Sequence, residues 1–213
     1  HAWKRAYTFG VWDQPWRKVK YPYPQYAEIG RFEGEFFEPE KWVPEYPNPA
    51  FDRMLADDAF WAAKIVARFS DDAIHAIVKT GDYLSPSAEH YLADTLIKRR
   101  DKVVAYFFRQ LNPLDGFAIE GTGLRFQNLG SDAEDTYLHQ WFVFDNDTAT
   151  TKPIADAEEG DTRSIAIPVS DAKYLMVRVR TVHDKELAWR KAVDVFLRRT
   201  DSGFEVVGID REL

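Results

Sequence analysis

The chain of 213 residues contains no cysteine. That removes disulfides, thiolate metal sites and thiol nucleophiles together. It leaves the compartment open, because exported proteins also occur without cysteine. No apolar run approaches the roughly 20 residues needed to span a bilayer as a helix. No basic stretch followed by an apolar one marks a leader. The chain opens on His1 rather than Met, so the missing leader says nothing about targeting. Positive charge is not in excess either: the formal net charge is −7. Residues 1–113 carry sixteen basic and sixteen acidic side chains, and residues 114–213 carry twelve and nineteen. An acidic second half argues against a nucleic-acid surface, which needs a basic face. Solubility is the plain meaning of the charge.

Catalytic signatures are absent as well. There is no G-x-G-x-x-G, no Walker sequence, no G-x-S-x-G elbow and no H-E-x-x-H. Gly121-Thr122-Gly123-Leu124 is a turn and not a phosphate cradle. The sequence therefore points away from an enzyme, and no cofactor or metal is expected.

What the chain has in quantity is aromatic residues: seven Trp, ten Tyr and fifteen Phe. They crowd the first 49 residues, as Trp3, Trp12, Trp16, Tyr21, Tyr23, Phe36, Phe37, Trp42 and Tyr46. Prolines interleave them, in Tyr21-Pro22-Tyr23-Pro24 and Tyr46-Pro47-Asn48-Pro49. Each proline removes a backbone donor and biases its predecessor to extended geometry. Long helices and central strands are thus not expected here, yet a disordered tail would be poor in such rings. The segment is expected to lie extended along a surface and bury its rings there. A sugar-stacking platform is the alternative use of such residues, and packing against protein is favoured over it.

Residues 50–112 read as helices. Asp57 or Asp58 caps one that carries Phe60, Trp61, Ile65, Val66 and Phe69. Ser70 opens the next with Asp71-Asp72 against its dipole, and Gly81 fits a C-terminal stop. Ser85-Pro86, a cap followed by proline at the first helical position, opens the third. Asn112-Pro113 ends it. From Leu114 onward the period changes from 3.6 to 2. Tyr137, His139, Trp141 and Val143 alternate with other residues, as do Leu175, Val177, Val179 and Val193, Val195, Leu197. Thr200-Asp201-Ser202-Gly203 is a hairpin loop with glycine at its left-handed position. About seven short strands are expected, in an immunoglobulin- or fibronectin-like sandwich. The fold class is α+β. Its parts are an aromatic, proline-rich wrapping segment (1–49), a helical segment (50–113) and a β-sandwich domain (114–213).

Candidate chemistry is sparse. His1, His75, His90, His139 and His183 stand at no recognised ligand spacing. Asp145-Asn146-Asp147 resembles the opening of a calcium loop, but Ala149 and Thr150 replace the residues it needs next. Asp156, Glu158, Glu159 and Asp161 form a second oxygen-rich loop, read as solvated. Lys98-Arg99-Arg100-Asp101-Lys102 is a basic run on a helix, read as structural through pairs such as Arg99 or Arg100 with Asp94 or Asp101.

Several stretches carry a resemblance. They are Gly30-Arg31-Phe32, the run from Phe37 to Phe51, Asp58-Ala59-Phe60-Trp61-Ala62-Ala63-Lys64, and Thr95-Leu96-Ile97-Lys98-Arg99-Arg100-Asp101-Lys102. Together they resemble the C-terminal portion of a group of uncharacterised bacterial proteins that look exported. The larger N-terminal part of those proteins is vaguely similar to HipA-like or atypical kinase folds. The resemblance implies an extracytoplasmic setting, periplasmic or at the cell surface, and a chain that is the tail of a longer polypeptide. It carries over no nucleotide-binding residue, because nothing here matches a kinase motif.

The expectation is a non-enzymatic accessory or scaffold module. The nine aromatic residues named above, from Trp3 to Tyr46, dock it onto a protein partner or an upstream domain of the same precursor. The alternatives are the C-terminal fragment of a kinase-like phosphotransferase and, more weakly, a carbohydrate-binding sandwich. No nucleic-acid partner and no membrane-spanning segment are expected, with peripheral membrane association left open.

Overall fold

A computed structural model describes Tyr7, residues 26–130 and residues 135–212. The described part is α+β and mostly β. Its helices are α1 (Pro49–Asp52), α2 (Ala56–Ala67), α3 (Asp71–Lys79) and α4 (Pro86–Phe107). Nine strands follow: β1 (Leu114–Glu120), β2 (Gly123–Asn128), β3 (Thr136–Asp145), β4 (Thr150–Pro153), β5 (Glu158–Gly160), β6 (Ser164–Ala166), β7 (Tyr174–Val182), β8 (Val193–Thr200) and β9 (Gly203–Arg211). The chain forms two compact units, residues 1–37 with 71–98, and residues 38–70 with 99–213.

In the first unit, Ser85 caps α4 by accepting the Ala88 N–H at 3.2 Å, with Pro86 at the first helical position. Ile74 and Val78 of α3 bury against Ala93 of α4, with Tyr83, Leu92, Leu96 and Ile97 around them. The left-handed residue after α3 is Asp82, at φ 49°, and not the glycine beside it. Asp tolerates that conformation through its short polar side chain. The stretch 26–37 is not extended as expected: a turn closed by the Tyr26–Gly30 bridge leads into a bend at 34–36, and the stretch lies along α4. Tyr26 meets Tyr91 with ring centroids 5.5 Å apart, and Tyr91 Oη donates to the Phe32 carbonyl at 2.7 Å. Gly34 is buried where an added Cβ would stand 3.0 Å from Lys98 Cβ, so glycine lets this bend approach the helix.

In the second unit, two antiparallel sheets share one core. One has the order β1-β2-β6, the other β4-β3-β7-β8-β9 with β5 also on β3. Strand residues of period 2 send Tyr137, Trp141, Leu175, Val177, Val179, Val193, Val195 and Leu197 inward from the larger sheet. They meet Leu114, Phe117, Leu124, Phe126 and Ile165 of the smaller. Each such side chain, fully buried, contributes about 1.5–3 kcal/mol. The strands number nine because β1 and β2 form a hairpin around Gly121, at φ 61°, and because β4, β5 and β6 are short edge pieces. Gly116, at φ 64°, sits at a bulge in β1 between Asp115 and Ala118.

The helical end packs on this β region through polar as well as apolar contacts. Phe60 and Ala63 of α2 bury with Phe108 and Leu111, and the Phe60 and Phe108 rings lie 5.2 Å apart. Trp189 Nε1 donates to the Phe108 carbonyl at 3.0 Å. Asn112, wholly buried, donates to the Lys191 carbonyl at 2.9 Å and accepts from Thr181 Oγ1 at 2.9 Å. Asn112-Pro113 is therefore a fixed junction and not a loose linker. A second fastening joins three elements. Asp115 on β1 pairs with Lys64 of α2 and with Arg211 at the end of β9, whose guanidinium lies over the Phe60 ring at 4.9 Å. Arg211 also donates to the Leu114 carbonyl at 2.7 Å.

Candidate functional site: an exposed apolar groove

Residues 38–70 position large apolar side chains on the outside of the second unit. Pro39–Lys41 forms a single 3-10 turn, and the Trp42 N–H closes it on the Pro39 carbonyl at 3.2 Å. Lys41 beside it is paired with Glu38, whose carboxylate raises the affinity of the amine for its proton. Asn48 caps α1 by accepting the Ala50 N–H at 3.0 Å, with Pro49 at the first helical position. Met54 and Leu55 then connect to α2, where the Asp58 carboxylate accepts the Leu55 N–H at 3.1 Å.

Helix α2 has apolar residues on two sides. Phe60 and Ala63 face the core, while Trp61 stands 64% exposed and Ile65 40% exposed one turn further on. Trp61 and Ile65 follow the i, i+4 spacing that keeps side chains on one stripe. Lys64 is drawn away to Asp115, so its charge does not cross that stripe.

Between α1 and α2 lies an open groove of about 570 Å³, lined among others by Phe51, Met54, Trp61 and Ala62, with Arg53 and Asp58 at the rim. Phe51 also meets Trp42, ring centroids 5.3 Å apart, and Trp42 remains 52% exposed. The surface can accept an apolar body of the size of a few side chains. It holds no constellation of acid, base and nucleophile.

The nine aromatic residues named from sequence divide as follows. Trp3, Trp12, Trp16, Tyr21 and Tyr23 lie outside the described residues. Phe36 is exposed and Phe37 half-buried in the first unit, while Trp42 and Tyr46 are exposed in the second. Only Trp42 of the described four stands beside the groove. Phe51, Met54 and Trp61 were not singled out from sequence as binding residues. The signal was present in α2, where Trp61-x-x-x-Ile65 forms a second apolar stripe beside Phe60-x-x-Ala63.

The remaining candidates are accounted for by local structure. Asp145 accepts from the N–H groups of Asp147 and Thr148 at 2.9 and 3.2 Å, which holds its carboxyl below the usual range and ties it to its own turn. Glu158 lies 3.8 Å from His139 Nε2, and burial of that ring lowers its proton affinity despite the carboxylate. His183 Nδ1 accepts from the Glu186 N–H at 3.0 Å. In the basic run, Arg100 donates to Asp101 and to the Phe69 carbonyl, and Lys98 pairs with Glu35.

Ser170 and Lys173, missed in reading the sequence, have the S-x-x-K spacing of a serine nucleophile and its lysine. Here Ser170 Oγ accepts the Ala172 N–H at 3.2 Å, and the Lys173 ammonium lies 5.3 Å from the Tyr174 ring centroid. That spacing therefore builds a turn. Among the described residues, no three His, Asp or Glu side chains converge on one point.

A second cleft of about 330 Å³ lies on β7, β8 and β9, with Arg178, Arg180, Asp194, Asp210, Arg211 and Glu212 on its walls. Arg178 grips Asp194 through two bonds of 2.8 and 2.6 Å, which strengthens its hold on its proton. Three guanidinium groups and three carboxylates line it, so the cleft carries no net formal charge.

Comparison with protein families, with curated proteins and with solved structures finds no match. No described helix is long and apolar enough to cross a membrane.

Proposed function

We propose that the chain is a non-catalytic docking module that receives an apolar segment of a protein partner, or of an upstream domain of the same precursor, in the groove between α1 and α2. One observation carries this reading: Phe51, Met54 and Trp61 line an open groove on a unit whose sheets already close around a complete core. Large exposed apolar patches on soluble proteins mark interaction sites. Tryptophan is enriched among the residues that dominate interface energy, and helix-in-groove recognition uses this chemistry. The two antiparallel sheets with a shared core support an immunoglobulin- or fibronectin-like frame for the module. An extracytoplasmic setting belongs to the same proposal and rests on the resemblance, which covers roughly residues 8–113.

The test is the double variant Met54→Asp/Trp61→Asp of the whole chain. Its unfolding midpoint stays close to that of the parent, because both side chains are exposed. Binding of an environment-sensitive hydrophobic dye, saturable in the parent, falls to background in the variant. A parent that is monomeric by light scattering and binds no dye overturns the reading. Saturable ATP binding by the chain overturns it in favour of the phosphotransferase fragment.

A further inference from the structure

The first unit brings together two side chains that the sequence leaves apart, His75 on α3 and His90 on α4. We propose that they form a two-histidine site for a divalent first-row ion, copper or zinc. The ring centroids are 6.1 Å apart with planes at 61°. One ion bonded at about 2.1 Å to a nitrogen of each ring holds the two centroids roughly 5–6.5 Å apart. The observed spacing falls within that range. The helices that carry the rings are fixed to one another by Ile74, Val78 and Ala93.

Hydrogen bonding points the same way. His90 Nδ1 lies 2.7 Å from the Pro86 carbonyl oxygen. A carbonyl can only accept, so Nδ1 carries a proton, and in the neutral ring the lone pair resides on Nε2. Backbone carbonyls fix ligating histidines in this manner at established metal centres. Among the described residues, no third His, Asp or Glu converges on the pair. Imidazole nitrogen is a donor that the stability order ranks for copper above zinc. A bound ion ties α3 to α4 and stabilises the first unit by linkage.

The experiment titrates the whole chain with Zn²⁺ alone and follows the imidazole resonances of His75 and His90 by NMR. Those signals report this site even when ions also bind elsewhere. Both rings shift along one saturating curve in the parent. His75→Gln and His90→Gln each weaken the affinity by about tenfold or more, and the double variant loses little beyond either single one. Cu²⁺ in place of Zn²⁺ saturates at lower concentration. Circular dichroism in chelator confirms that the variants remain folded. Rings that do not move overturn the site, as does one ring that shifts alone with an affinity unchanged when the other is replaced.

Discussion

The β region 114–212 and the segment 38–70 belong to one compact unit, yet they treat their aromatic residues in opposite ways. In the β region Phe126, Tyr137 and Trp141 are buried between the sheets. In the segment, Trp42, Tyr46, Phe51, Trp61 and Phe69 are all exposed. Strand geometry accounts for the first behaviour, because alternate residues fall on one face and a second sheet covers that face. Helix α2 accounts for the second. It presents Phe60 and Ala63 to the core, and no turn of a single helix can also bury Trp61 and Ile65 on that side. Aromatic content alone therefore does not distinguish a buried core from an exposed surface. The number of apolar stripes per element does.

The largest expected effect breaks the comparison at its centre. Phe126→Ala empties a site between the sheets and destabilises the chain by about 3–5 kcal/mol, measured by urea unfolding. Phe51→Ala, on an exposed side chain, stays within about 1 kcal/mol. Equal losses would mean that the groove is part of the core.

Next comes the fastening between the two regions. Asp115→Ala leaves Lys64 and Arg211, both largely buried, without their shared carboxylate, at a cost of about 3–5 kcal/mol. Glu205→Ala removes the partner of exposed Arg198 and costs at most about 1 kcal/mol. The two tryptophans of the β region then sharpen its interior. The Trp189 indole N–H is bonded to the Phe108 carbonyl, whereas Trp141 Nε1 is buried without a hydrogen-bond partner among the described residues. Trp189→Phe therefore orphans a carbonyl and costs about 1–3 kcal/mol beyond the loss of volume. Trp141→Phe carries no such penalty. Unfolding midpoints of the two variants decide it.

These contrasts also mark what the sequence made legible. The period-2 runs around Trp141, Val177 and Val195 announced buried strands, and Ser85-Pro86 announced the start of α4. The docking of β1 and α2 was not legible. It depends on Asp115, Lys64 and Arg211, which lie far apart in sequence and carry no mark of their common contact. The groove was half legible. The aromatic richness of 36–46 was readable, but that Phe36, Trp42 and Tyr46 stay exposed, and which face of α2 lacks a cover, depends on tertiary packing. His75 and His90 meet for the same reason, since only the α3–α4 packing brings their helices together.

The smallest effect separates the regions by pH. Residues 38–70 contain no histidine, whereas His139 lies on β3 with its side chain mostly buried near Glu158. Burial pushes its proton affinity down more than Glu158 raises it. The unfolded chain then binds the proton more readily than the folded one, so stability rises with pH across the imidazole range. It is complete above the ordinary imidazole pKa of about 6.5 and declines as pH falls below that value. His139→Gln removes this titration while keeping a polar side chain. Its urea midpoint falls less between pH 7 and pH 5 than that of the parent. Asp145, held ionised by its own turn, loses its contribution only when pH falls further, through the carboxylate range, so it does not blur this window. Identical pH slopes for parent and variant would place the acid sensitivity elsewhere than in the β region's inner face.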